Sequence, residues 1–533
     1  MKYAKLINIA VALVLCASVC GCQGSPVNNS SDLSSAITSS ITATNTANFI
    51  TLLYSAADTY NPYTAKTEIN RQLCRLLYDP LVKVDNNFNP VFCVAKSVDI
   101  SGTECTVTLN SARFSDGSLV TAADVVYSFK LAKNSNTSYA AKLYGATSAT
   151  EAGGKVVIRL TKSDPYFANV LDFPIVKSGS DTVKDADGVY QPPIGCGRYK
   201  LNGTKDGLIQ NEFYFGKKGS IKEIRLINAP DSESVTHYTE VGAADMYFTD
   251  ISDGNIMRMS GKKYNINLNN LVYIGINQNY APLGERAMRS AISTALNRAK
   301  ICEEAYYNNA LPATGLFHPE WSETKAVQNI QIEANDEITV ENLEEIGYNK
   351  LNSQGIRTNK SGIPLRFSLL VNSENRLRVL AARTVAKQLK NSGIDITVVE
   401  KSYSDYIESL KQGNFQLYIG EIKLTDNMDI SPLIAKDGQA AFGAPIESSD
   451  ENNQSDPQSG EQTQPKTTAR EVLEGLYNGS NTIKDLASVL QTEMPIVPVC
   501  YRTGVLFCNK KIRNVNNSSL SDIFFSIDSY SVY

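Results

Sequence analysis

Between residues 365 and 419 the spacing of apolar residues changes period four times. Leu365, Phe367, Leu369 and Val371 alternate as in a strand, a helical pattern runs from about Glu374 to Asn391, and Gly393 closes it. Ile394, Ile396 and Val398 alternate again, Ser404 to Gln412 is helical, and Gly413 leads into a strand from Phe415 to Ile419. Period 2 interleaved with period 3.6 predicts a β-α-β-α-β run, because side chains alternate across a strand but recur every three to four residues on a helix. Such runs build a sheet covered by helices, which excludes all-helical and all-β folds. Ligands of open α/β sheets collect beyond the carboxyl ends of the strands, so the stretch from Gly420 onward is a candidate ligand edge.

The rest of the chain follows the same α/β grammar. Cys105–Leu109 reads as a strand, Arg113-Phe114-Ser115-Asp116-Gly117 as a turn, and Thr121-Ala122-Ala123-Asp124 as a capping box opening a helix with the stripe Val125, Val126 and Phe129. A helix from about Pro282 to Ile301 would place Met288, Ala291, Ile292, Ala295, Leu296 and Ala299 on one face. No repeat of 20–50 residues occurs, which removes solenoids and propellers. A length of 533 residues, 42% hydrophobic, implies two or three globular domains.

Charge and histidine content narrow the function. With 51 Lys+Arg against 55 Asp+Glu the chain has no basic field to recruit nucleic acid. His237 and His318 are the only histidines, so a zinc hydrolase would need an unusual ligand set. Neither a Gly-x-Ser-x-Gly elbow, nor a phosphate loop, nor a His-Glu-x-x-His helix is present. The expectation is a protein that is not an enzyme and uses no cofactor. Asp116 and Asp124 are explained by a turn and a helix cap, and Trp321 by packing.

The N-terminus reads as an export signal. Lys2 and Lys5 precede Leu6–Val19, an uncharged apolar run too short to cross about 30 Å of hydrocarbon. It ends in Val19-Cys20-Gly21-Cys22, which resembles the bacterial lipobox, so residues 1–21 are expected to be a signal peptide and Cys22 the lipidation site. Residues 22–47 hold too little apolar surface to fold and read as a tether, and residues 446–467 read as a disordered surface insertion. Beyond Cys22 the chain holds Cys74, Cys93, Cys105, Cys196, Cys302, Cys500 and Cys508, an odd number with no Cys-x-x-Cys pair. They read as buried thiols. Cys500 and Cys508, flanking an expected hairpin turn at Thr503-Gly504, are the only pair worth testing for a disulfide.

Several motifs in order carry a family resemblance. Tyr78-Asp79-Pro80-Leu81-Val82 with Asn89-Pro90 and Val94-Ala95-Lys96-Ser97 resembles "L-x-x-P-L-V … P-x-L-A-E-S". Arg113-Phe114-Ser115-Asp116-Gly117 with Thr121 to Ser128 is similar to "F-S-D-G-x-P-x-T-A-x-D-V-x-x-S". Pro193-Ile194-Gly195-Cys196-Gly197-Arg198-Tyr199 resembles "P-V-G-T-G-P-Y", with Cys196 and Arg198 replacing Thr and Pro. Asn277, Pro282-Leu283, Arg289-Ser290-Ala291 and Leu296-Asn297-Arg298 resemble "N-x-x-x-x-P-F … V-R-x-A-I-x-x-A-I-D-R". These are motifs of the family 5 extracellular solute-binding proteins of ABC importers.

The resemblance implies an α/β, two-lobed periplasmic-binding-protein-like fold of type II, in its large three-subdomain variant, with mixed sheets covered by helices. Lobe one would span residues 48–270, with an inserted subdomain at about 76–190, and lobe two residues 271–495. Residues 496–533 would return to lobe one. It implies a monomer on the outer face of the bacterial cell membrane, delivering a small solute, with a short peptide as the expected cargo, to ABC permease subunits. An oligosaccharide or metal chelate as cargo, or a sensor or adhesion lipoprotein without transport, remain open. In peptide-binding members the exit "G-W-x-A-D-Y-x-D-P" supplies an acid for the ligand's ammonium; here Leu424 takes that place on an ungapped count from Gly420. The ligand-binding candidates are therefore Glu421, Asp426 and Asp429, with Tyr273 and Asn277 on the strand that resembles the one beside the family's cleft.

Overall fold

Two long strands carry the chain between its halves. In the computed structural model, which describes residues 49–252, 261–327, 333–443 and 468–533, a crossing strand (Lys262–Ile276) pairs antiparallel with a return strand (Ile496–Cys508), from Lys262 opposite Cys508 to Gly275 opposite Ile496. The two ends of this ladder lie in different cores. Ile266, Leu268, Leu506 and Cys508 pack with residues 50–224 and 512–532. Val272, Ile274, Ile276, Val497 and Val499 pack with the helices Arg286–Thr294, Arg298–Tyr306 and Arg376–Asn391. Strand alternation puts Leu271 and Tyr273 on the opposite face, in a third cluster with Trp321 and Tyr418. Val497, Val499 and Cys500 thus belong to the second core, and Ile496 and Tyr501 to the third cluster, which also takes in Val84 and Phe88. The register breaks between Asn267 and Leu271, where the strand leaves one core for the other.

The β-α-β-α-β run is present as Arg366–Asn372, Arg376–Asn391, Asp395–Lys401, Tyr403–Lys411 and Leu417–Lys423. Its three strands are parallel, and Leu417–Lys423 also pairs antiparallel with the crossing strand, which makes the sheet mixed. That pairing corrects the expected strand end at Ile419. Asn270–Tyr273 offers ladder partners to Gly420–Lys423, so the strand runs four residues further and the exit begins at Leu424.

Two other expectations are corrected. The helix anticipated over 282–301 is two helices, Arg286–Thr294 and Arg298–Tyr306, because the Asn297 side chain accepts from Lys300 N at 2.9 Å and caps a new start. No hairpin forms at Thr503-Gly504. Crossing strand, Met246–Thr249 and Ala310–Pro312 all pair with the return strand, so it stays extended throughout. Cys500 and Cys508 are then about 26 Å apart along it. All seven described cysteines are free thiols.

The first half holds a four-stranded sheet in which Phe49–Tyr54 runs parallel to Glu223–Asn228. The inserted segment forms a separate antiparallel sheet of Ala95–Ser101, Glu104–Leu109, Lys155–Leu160 and Ala146–Ala152. Helix Ala122–Lys133 covers it and opens on the expected Thr121/Asp124 capping box. Arg198, the residue that departs from the glycine-turn motif, is buried: it donates to Asp522 Oδ2 (2.7 Å), Phe524 O (2.8 Å) and Arg75 O (3.1 Å), pinning the C-terminal segment to this half. The signal segment 1–21, Cys22, the tether and the insertion 446–467 lie outside the described residues.

Candidate functional site

On the strand Leu417–Lys423, Leu417 and Ile419 face one core, and the next two positions on that face are Glu421 and Lys423. The apolar sheet face thus ends in charge where it meets the first half. Glu421 Oε1 accepts from Arg502 Nη1 (2.7 Å) and Asn270 Nδ2 (3.0 Å), and Oε2 lies 3.4 Å from Arg378 Nε. Arg502 also donates to Asp250 O at 2.6 Å. Burial alone would lower the pKa of Arg502; Glu421 outweighs it and holds the guanidinium above its ordinary value. Part of the Lys423 side chain is exposed, but its ammonium loses water in the seam, and this desolvation with the Lys142 cation lowers its pKa against the pull of Asp426, Glu68 and Asp250.

Beyond Lys423 the chain enters a seam against the segment that carries the separate antiparallel sheet. Lys142 Nζ donates to Asp426 Oδ2 and to the fully buried Asp172 Oδ2, both at 2.6 Å. Burial would lower the Lys142 pKa, but the two carboxylates outweigh it and raise it well above the usual lysine value. Asn169 Nδ2 donates to Asp426 O (3.0 Å) and Phe88 O (2.7 Å), and Asn427 Nδ2 to Asp164 Oδ2 (2.6 Å). Asp429 accepts from Ser431 N at 2.9 Å and from the hydroxyls of Ser431 and Tyr477. Lys162 Nζ sits 3.4 Å above the Tyr477 ring, and Tyr166 meets Trp321 edge-on at 4.9 Å. Along the same seam a recess of ≈ 880 Å³ is lined by Lys162, Tyr166, Glu323, Glu474 and Tyr477, within the size range of small-molecule sites.

The structure therefore brings Glu421, Asp426 and Asp429 to one junction, each already held by internal partners. It does not bring Tyr273 and Asn277 there. Tyr273 is buried beneath Tyr418, their ring centroids 5.8 Å apart. Asn277 lies just past the far end of the crossing strand, where its amide donates to Gly413 O and Phe415 O, both at 3.1 Å. Asp116 serves a turn, bonding Ser118 and pairing with Lys177, and Trp321 is core. Sequence reasoning passed over Lys142, Arg378 and Arg502, whose local contexts carry no signal. Lys423 was visible only as part of the Gly420–Asp429 run.

Among the described residues no helix is long and apolar enough to cross a membrane. Residues 89–436 match the model of the bacterial extracellular solute-binding proteins, family 5 Middle. The chain is 26% identical over 448 residues to the oligopeptide-binding protein AppA of Bacillus subtilis, covering 77% of this chain and 78% of AppA. It is 25% identical over 363 residues to the nickel-binding periplasmic protein of Escherichia coli, covering 64% and 68%. Its fold is similar to that of a nickel ABC transporter protein from Bacillus halodurans, with a TM-score of 0.68 at 17% identity over 91% of this chain and 99% of the other. The fold is the mixed α/β, type II periplasmic-binding-protein architecture. With nearly two thirds of its length inside the family match, and with two cores bridged by shared strands around a charged junction, this chain belongs to the family 5 extracellular solute-binding proteins of ABC importers.

Proposed function

We propose that this chain is a lipid-anchored extracellular receptor that captures a short peptide between its two lobes and hands it to an ABC permease. The observation that carries this reading is the broken register at Asn267/Leu271, where the crossing strand passes from one core to the other. A ladder interrupted between two independently packed cores is a natural place for hinge bending, the usual motion of two-lobed binding proteins. The peptide class is supported by the AppA relative, whose match spans more than three quarters of both chains. The lipid anchor is supported by Val19-Cys20-Gly21-Cys22. A ligand held by hinge closure must make contacts in the closed state that the open state lacks.

A second reading, a metal chelate as cargo, is favoured by the similarity to the nickel-binding periplasmic protein of Escherichia coli, matched over 68% of its length. Native mass spectrometry of the purified full chain decides between them. A co-purified mass resolving to peptides of a few residues is expected. Thermal shift should then show stabilisation that grows with peptide concentration. A chelate mass would favour the second reading, and no ligand from any peptide, sugar or chelate panel would overturn the receptor account.

A further inference from the structure

Two of the seven described thiols meet each other. Cys302 lies on the helix Arg298–Tyr306 and Cys500 on the return strand Ile496–Cys508, about two hundred residues apart in the chain. Both belong to the second core, Cys302 at 4% exposure and Cys500 at 0%. The register of helix against strand brings them together, because it is pinned at both ends. Arg298 Nε donates to Pro498 O at 2.9 Å where the helix begins, and Thr503 N donates to Asn309 O at 3.0 Å just past its end. Four helical residues advance about 6 Å and two strand residues about 6.6 Å, so the turn after Arg298 brings Cys302 to Cys500. The two thiols are in hydrogen-bond contact; burial, with that contact, pushes the Cys500 pKa well above the ordinary thiol value.

Other thiols are engaged differently. Cys74 Sγ donates to Tyr60 O (3.4 Å), Cys93 Sγ to Asp79 Oδ2 (3.3 Å) and Cys196 Sγ to Asp79 O (3.7 Å). Cys105 sits in the antiparallel sheet of the first half and Cys508 at the far end of the return strand. Bringing two hydrogen-bonded thiols to a bond of about 2.05 Å asks only for a small approach of the helix toward the strand. The family is extracellular, and disulfides persist outside the cytoplasm.

We propose that Cys302 and Cys500 form a disulfide when the chain folds in the presence of a low-molecular-weight disulfide, stapling the helix to the second-core end of the return strand. The Cys302 thiolate attacks one sulfur of the oxidant R–S–S–R and releases RS⁻; the Cys500 thiolate then attacks the Cys302 sulfur of the mixed disulfide and releases the second RS⁻. The two cysteine protons end on the released thiolates as two RSH, and the two electrons given up by the cysteines reduce R–S–S–R. Both thiols are buried once the helix has docked, so the exchange belongs to the folding chain, before the helix closes over the strand. Closing so long a loop removes entropy from the unfolded chain, and the folded chain gains stability by that difference. The crosslink ties no residue of the first core to the second, and it holds whatever the cargo is.

The test refolds the full chain from urea in a buffer of oxidised and reduced glutathione and, in parallel, under reductant. Peptide mapping by mass spectrometry without reduction should join Cys302 and Cys500 in one crosslinked species, and the free-thiol count should fall by two against the reduced chain. The urea midpoint of the oxidised chain should exceed that of the reduced chain by at least about 0.5 M. Cys302→Ala and Cys500→Ala should each abolish the crosslink and that gap, and Cys93→Ala should keep both. The wild-type comparison uses no substitution, so a variant that folds poorly does not decide the result. Absence of the crosslinked species, a bond joining other cysteines instead, or equal midpoints of the oxidised and reduced chains overturns the proposal.

Discussion

Lys142 Nζ stands 2.6 Å from Asp172 Oδ2 and 2.6 Å from Asp426 Oδ2, so one ammonium ties the first half of the chain to the loop that leaves the central sheet. Asp172 is wholly buried, and among the described residues its only other ion-pair partner is Arg75 at 3.9 Å. Replacing Lys142 by Met leaves a buried carboxylate largely uncompensated, and removing one partner of such a pair costs about 3 kcal/mol. Urea unfolding of Lys142→Met against wild type checks this, and Asp426→Asn should cost less because Asp426 is the more exposed acid. The sign with pH follows. Burial raises the Asp172 pKa, but Lys142 and Arg75 outweigh it and lower it, so its stabilisation is complete above about pH 4 and is lost as pH falls through the lowered value.

His318 supplies a second pH signature of opposite origin. It is fully buried, with Phe88 and Tyr501 rings each 4.6 Å away, and Nδ1 accepts from Glu320 N at 3.1 Å. Burial, aided by Lys325, pulls its pKa down to about 3. Between pH 6.5 and 3 the unfolded chain binds a proton there that the folded chain refuses, so stability falls with falling pH by up to about 1.4 kcal/mol per unit. Urea midpoints of wild type and His318→Phe between pH 7 and 5 should diverge by this slope; parallel curves would refute it.

Gly275 is required by an aromatic contact. A Cβ there would lie 1.9 Å from Tyr418 Cε1, with the ring locked among Tyr273, Tyr406 and Phe415. Gly275→Ala should cost about 1–3 kcal/mol by overpacking. Tyr418→Ala in the same chain should recover part of that loss, a non-additivity that a double-mutant cycle of denaturation free energies measures.

Trp321 is the single tryptophan, and it packs against Tyr166 from the first half of the chain. Parting of that seam exposes the indole. Lys142→Met or Tyr166→Ala should therefore shift tryptophan emission to the red at neutral pH, and a ligand that draws the lobes together should restore the wild-type maximum. Emission unchanged in both variants would show that the seam stays shut without them.

The readable parts of this protein were those written in local periodicity. Leu365 to Ile419 announces its strands and helices because burial on one face forces period 2 or 3.6 on neighbouring residues, and Thr121 to Asp124 announces its cap because the partners are three residues apart. The family motifs are likewise contiguous, which is why they identify the fold. Boundaries were poorer where distant chain competed: Leu417–Lys423 runs past Ile419 because Asn270–Tyr273, 150 residues away, pairs with it.

The amino-acid sequence alone determines the α/β architecture, the order of the elements and the family, since each depends on residues close together in the chain. Only the tertiary structure decides which charges meet. Glu421 with Arg378 and Arg502, and Asp426 with Lys142, are joined across 43 to 284 positions, and no local pattern records such partners. A charge's chemistry is set by what stands within a few ångströms of it, and that is a property of the packed chain.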